Sequence, residues 1–105
     1  MNGKFQNIGQ KEWIMYKPRW GAFYKTNLET KLNELGIDSL VICGCNFPNC
    51  PRTTIYEASE RDFKIFFVRD ATSGVYEKGI NELRDIGIKV FKTNSLINFI
   101  EQKNI

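Results

Sequence analysis

Few residues in this chain could carry out covalent chemistry. Its 105 residues include no histidine. That excludes Cys–His and Ser–His–Asp nucleophilic sites, an HExxH metal site and a histidine pH switch. Cysteine, lysine, carboxylates and the backbone remain. The three cysteines are Cys43, Cys45 and Cys50, all in one short segment. Their C-x-C-x4-C spacing lacks a fourth cysteine, whereas structural zinc sites normally close with four ligands. The pair Cys43 and Cys45 also lacks the C-x-x-C spacing of thioredoxin-type redox motifs. Neither a metal site nor a thiol-redox module has a supporting motif, and no cofactor is implied.

Cys50 has the most suggestive position, where a buried strand hands over to a helix. Unpaired amides at a helix N-terminus carry partial positive charge and favour a thiolate. The same amides can hold the oxyanion formed when a nucleophile attacks a carbonyl. Read this way Cys50 is a nucleophile; read otherwise it is a small buried residue or cap. Lys17, just after the first predicted strand, is the candidate base or cationic neighbour, or else a solvated lysine at a strand end. Cys43 reads as core and Cys45 as a loop thiol. Asp70 ends a strand and is placed to hydrogen-bond amides of the loop Ala71–Gly74, with catalytic acid as the alternative. Trp13, Tyr16, Trp20, Phe23 and Tyr24 cluster around Lys17 as core or pocket wall.

The elements that must position these residues follow from the pattern. Trp13–Tyr16 is a short apolar run halted by Lys17-Pro18 and reads as a strand. Residues 1–11 read as a loose lead-in. Thr26-Asn27-Leu28-Glu29 has the form of a capping box. Leu28, Leu32 and Leu35 then mark a helix that stops at Gly36. Ser39–Cys43 is continuously apolar, as expected of a parallel strand buried on both faces. A helix follows from about Cys50 or Pro51 to Glu60, with proline at a first helical position. Lys64–Arg69 is the next buried strand, and Asp70–Gly74 a loop. Tyr76, Ile80 and Leu83 mark a helix ending at Gly87. Lys89–Phe91 is a last strand, and Leu96, Ile97 and Ile100 place a C-terminal helix. This β-α alternation predicts an α/β fold, a parallel sheet with helices on its faces. Such sheets place their sites in loops leaving the carboxyl ends of strands, and Gly44–Cys50 is such a loop.

Composition sets the remaining bounds. The length corresponds to a single domain spanning residues 1–105. With 42% hydrophobic and 26% charged residues, the chain can fill a modest core rather than stay disordered. No apolar run approaches the ~20 residues that span a bilayer, and Met1–Lys11 has no signal-peptide pattern. Cysteines without a secretory signal suggest reduced thiols and a cytoplasmic location. The net charge of +3 is dispersed, so neither a nucleic-acid nor a membrane partner is expected.

Several ordered segments resemble one family. Lys17-Pro18-Arg19-Trp20-Gly21-Ala22-Phe23, with Thr26 and Leu28, resembles the lysine segment of isochorismatase-like cysteine hydrolases. Gly36–Gly44 resembles the strand leading to their nucleophile, and Cys45–Thr54 their nucleophile loop. Asp70-Ala71 resembles the acidic end of the following strand. The match runs from about Trp13 to the C-terminus with its spacing intact.

The resemblance implies that Cys50 is the nucleophile and Lys17 the lysine of an Asp–Lys–Cys triad. It implies a non-proline cis peptide between Cys45 and Asn46, and an oxyanion hole formed by the amides of Asn46 and Cys50. The family's sheet has strand order 3-2-1-4-5-6. Trp13–Tyr16 would be its third strand and Ser39–Cys43 its fourth, so the Rossmann-like sheet is expected to be incomplete and the domain N-terminally short. The triad aspartate, at the end of the family's first strand, has no counterpart in this sequence. The zinc-binding version of the family, which uses histidines, is excluded. The implied activity is hydrolysis of an amide or related C–N bond in a small molecule through a covalent Cys50 intermediate. A catalytically silent domain that binds a ligand or partner through the same pocket is the alternative. Because the missing strands would leave sheet edges unpaired, a homo-oligomer is expected.

Overall fold

The computed structural model describes residues 4–103. Its elements are β1 (Phe5–Gly9), β2 (Glu12–Met15), α1 (Leu28–Glu34), β3 (Ser39–Gly44), α2 (Cys50–Ser59), β4 (Lys64–Thr72), α3 (Glu77–Asp85), β5 (Lys89–Phe91) and α4 (Thr93–Lys103). From β3 onward the alternation predicted from the sequence is present. The strands β3, β4 and β5 form a parallel sheet in that order, with Leu40 opposite Ile65, Ile42 opposite Phe67, and Phe67 opposite Val90. The β3–β4 register jumps between Ile42 and Gly44, and Gly44 pairs with Thr72. Beside this jump the Thr72 hydroxyl donates to the Val68 carbonyl at 2.8 Å.

The N-terminal part departs from expectation. The loose lead-in gives way to strand β1, while residues 1–3 lie outside the described region. Strand β2 pairs antiparallel with β1 in a separate two-stranded sheet, not with the parallel sheet. The partner of β2 is therefore local, reached through the tight turn Gln10–Lys11, in which Lys11 takes a positive φ of 57°. Nothing in Gly9-Gln10-Lys11 matches the Asn-Gly type of hairpin signal that a sequence reading relies on. The hairpin leans on α1, where the Lys31 ammonium lies 4.4 Å from the Trp13 ring centre.

Strand β3 is not buried on both faces. Its residues alternate, with Leu40 and Ile42 half-buried and Ser39, Val41 and Cys43 exposed. The reading of Cys43 as core is thus corrected: among the described residues β3 pairs only with β4, so it is an edge strand. The capping box is also replaced. The N-cap of α1 is Asn27, and the Thr26 hydroxyl accepts from the Leu28 amide at 3.3 Å and donates to the Ala22 carbonyl. Glu29 is drawn away to Arg61, at 2.9 Å.

The core lies between the sheet and helices α2 and α3. Phe47, Ile55, Phe67, Ile80 and Leu83 are its largest fully buried side chains. On the opposite face α4 packs Phe99 against Phe66 and Phe91.

Candidate active site

Two structural devices bring Lys17 and Cys50 together. The first is a stripe along α2. Cys50, Thr54 and Glu57 recur at i, i+4 and i+7, hence on one helix face. That face holds the irregular segment after Lys17: the Thr54 hydroxyl accepts from the Ala22 amide and the Glu57 carboxylate from the Phe23 amide, both at 3.0 Å. Gly21 lies so close to Glu57 that a Cβ would fall 2.1 Å from the carboxylate oxygen. The side chain of Phe23 is buried beneath the Arg61 guanidinium, 4.8 Å from its ring centre.

The second device is the loop from β3 into α2. Phe47 anchors it, fully buried and 5.3 Å, ring centre to ring centre, from both Phe67 and Tyr76. The Phe47 amide donates to the Ser73 carbonyl at 2.8 Å, and the Ser73 amide donates to the Gly44 carbonyl at 3.0 Å. Asn46 is held by its side-chain oxygen, which accepts from the Ser73 hydroxyl. The Asn49 amide closes a turn onto the Asn46 carbonyl at 2.9 Å. The peptide between Cys45 and Asn46 is cis.

With both parts fixed, Lys17 Nζ lies 3.1 Å from Cys50 Sγ. It also donates to the carbonyls of Arg19 at 2.9 Å and Trp20 at 3.0 Å. These three acceptors match the three donors of an ammonium. Cys50 is the first residue of α2, and a helix's first turn has no acceptors of its own for its amides. The loop's hydrogen bonds use the amides of Phe47, Asn49, Arg52 and Thr53. A cavity of about 380 Å³ opens beside the sulfur, with Lys17, Ala22, Val41, Thr54 and all three cysteines in its wall. Among the described residues, no aspartate or glutamate lines it.

Asp70 does not join this cluster. Its carboxylate accepts from the Thr93 amide at 2.8 Å and the Thr93 hydroxyl at 2.7 Å, so it caps α4 and not the loop Ala71–Gly74. The Thr93 hydroxyl, then the Thr93 amide and the Lys92 charge, hold its carboxyl below the usual aspartate value. The sequence reading missed Thr54, Glu57 and Ser73. The first two were accessible through their spacing from Cys50, whereas Ser73 meets Asn46 only beyond the register jump between β3 and β4.

Comparison with known proteins now decides the family, since residues 6–95 match the isochorismatase domain. The chain belongs to the isochorismatase family. A probable inactive nicotinamidase from Arabidopsis thaliana is 32% identical over 85 residues, covering 76% of this chain and 43% of that protein. An N-carbamoylsarcosine amidase from Arthrobacter is 28% identical over 94 residues, covering 86% of this chain and 36% of that protein. The crystal structure of an isochorismatase family protein from Desulfovibrio vulgaris superposes with a TM-score of 0.81 at 31% identity, covering 90% of this chain and 52% of that one. The chain therefore spans about half the length, or less, of these relatives.

Proposed function

We propose that this chain carries the nucleophile half of an isochorismatase-type amide hydrolase, with Cys50 attacking the carbonyl carbon of a small amide or N-carbamoyl compound. The carrying observation is the 3.1 Å hydrogen bond from the Lys17 ammonium to Cys50 Sγ at the start of α2. In this reading the attacking sulfur lies at the N-terminus of α2 and accepts a hydrogen bond from Lys17. The amides of Asn46 and Cys50 receive the oxyanion that forms on attack. Collapse of the tetrahedral intermediate breaks the C–N bond, leaving the acyl group on Cys50 and releasing the amine, whose nitrogen takes up a proton from solvent. The amidases among the relatives support the substrate class.

A second reading is favoured by one observation: no carboxylate lines the cavity among the described residues. Proton transfer to the leaving amine and activation of water then lack their acid–base group. In this reading the domain is catalytically silent, a state the Arabidopsis relative's name gives as probable for that protein, and binds a small molecule in the same cavity. The oligomer expected from the sequence belongs to this proposal too, through the outer edge of β3.

Peptide mapping after brief iodoacetamide treatment near neutral pH tests the role of Cys50. Cys50, although only half-exposed, alkylates fastest of the three cysteines. Preferential labelling of the more exposed Cys45, or equal slow labelling of all three, contradicts the assignment.

A further inference from the structure

The cavity wall contains two thiols for which the proposed hydrolysis has no use. Cys43 and Cys45 are free and exposed, and both line the same space as the half-exposed Cys50. Cys45 is the better placed of the two. The Asn46–Asn49 turn, closed by the 2.9 Å bond from the Asn49 amide to the Asn46 carbonyl, folds the loop back on itself. Residues at the ends of such a turn have Cα atoms less than ~7 Å apart, and Cys45 and Cys50 flank those ends directly. A disulfide needs Cα atoms within roughly 4.4–6.8 Å, so bond formation requires Cys45 to move toward Cys50 within the cavity that both line. Cys43, by contrast, is held in the ladder of β3 opposite β4.

We infer that Cys50 is an oxidation site resolved by Cys45, so that hydrogen peroxide converts the pair into an intrachain disulfide that blocks the nucleophile reversibly. The inference rests on the reading of Cys50 as the reactive thiol. In the first step the Cys50 thiolate attacks one peroxide oxygen. An S–O bond forms, the O–O bond breaks, and hydroxide leaves to be protonated to water, giving the sulfenic acid. In the second step the Cys45 sulfur attacks the Cys50 sulfur. An S–S bond forms, the S–O bond breaks, and the departing hydroxide takes up the proton from Cys45 as a second water. Two thiols lose two electrons and one peroxide gains them. Lys17 Nζ, 3.1 Å from Cys50 Sγ, places a hydrogen-bond donor beside the sulfur that attacks peroxide. The open cavity lets both peroxide and a disulfide reductant reach the pair.

The test treats the full chain with hydrogen peroxide, alkylates the remaining thiols and maps the peptides without reduction. The expected product is a Cys45–Cys50 cross-linked peptide with Cys43 alkylated, lost on addition of dithiothreitol. Cys45→Ser should abolish the cross-link and leave a Cys50 sulfenic acid that dimedone traps, which also shows that this variant has kept its reactive site. Over-oxidation of Cys50 to sulfinic acid with Cys45 still free, or a cross-link through Cys43 or between chains, overturns the inference. Rapid iodoacetamide labelling of Cys50 without disulfide formation overturns it while leaving the nucleophile reading intact. If Cys50 resists both reagents, both fail.

Discussion

At the scale of single residues, the site depends on what Lys17 does to the Cys50 sulfur. Replacing the ammonium by a neutral chain of similar length removes a hydrogen bond from a charged donor, an interaction that contributes about 1.5–3 kcal/mol in general. Lys17→Met is therefore expected to slow alkylation of Cys50 by about tenfold or more, with Cys43 and Cys45 unaffected as internal controls. An unchanged rate would mean that the helix N-terminus alone activates the thiol. Asp70 is expected to act through stability instead. Hydrogen bonds from Thr93 hold its carboxyl below the usual aspartate value of 3.8, so the folded state binds this proton less readily than the unfolded chain. The stabilisation is present above the ordinary value and is lost as pH falls through the lower folded value. Asp70→Asn should lower the melting temperature at neutral pH, and the difference from the parent should shrink in strong acid. A constant difference across that range would exclude the carboxylate as its source.

At the scale of elements, one ring positions the reactive loop. Phe47 is fully buried between Phe67 and Tyr76, and the Gly79 backbone approaches it so closely that a Cβ would lie 2.5 Å from the ring. Phe47→Ala is expected to cost ~3–5 kcal/mol, as large aromatic truncations in cores do. Gly79→Ala should destabilise through overpacking by ~1–3 kcal/mol. Both can be read from urea unfolding midpoints, and a neutral Gly79→Ala would show that the loop can move aside. The sequence revealed those elements that carry strong local signals. Pro51 marked the start of α2, and Gly36 and Gly87, with φ of 69° and 89°, marked the ends of α1 and α3. It misassigned β3, because an apolar run does not reveal whether a neighbouring strand lies on each side. It missed β1, because Phe5–Gly9 has no apolar alternation and finds its partner through an unremarkable turn. For the candidate site, Cys50 and Lys17 were singled out by position and by resemblance, and the fold brings them within 3.1 Å. The pins at Thr54 and Glu57 were latent in helical spacing, and the Ser73 contact depended on a register jump that has no local sequence cue.

At the scale of the whole molecule, two expectations follow from the edge position of β3 and from the cavity lining among the described residues. The outer edge of β3 offers unpaired backbone groups beside exposed Val41 and Cys43, and it carries no charged side chain or proline. Such edges invite pairing with another chain. A dimer or larger assembly is therefore expected by light scattering, whereas a monomer that unfolds cooperatively would contradict this. The other expectation is chemical. General acid–base catalysis is typically worth ~10²–10⁴-fold, and among the described residues no carboxylate lines the cavity to supply it. Attack by Cys50 should thus outpace release of the product. The most direct measurement follows the mass of the purified chain during incubation with a small activated amide. The account predicts that one acyl group accumulates on Cys50, is absent in Cys50→Ala, and is released too slowly to sustain hydrolysis. Steady turnover that survives Cys50→Ala, or a chain that never acquires the acyl group, would contradict it.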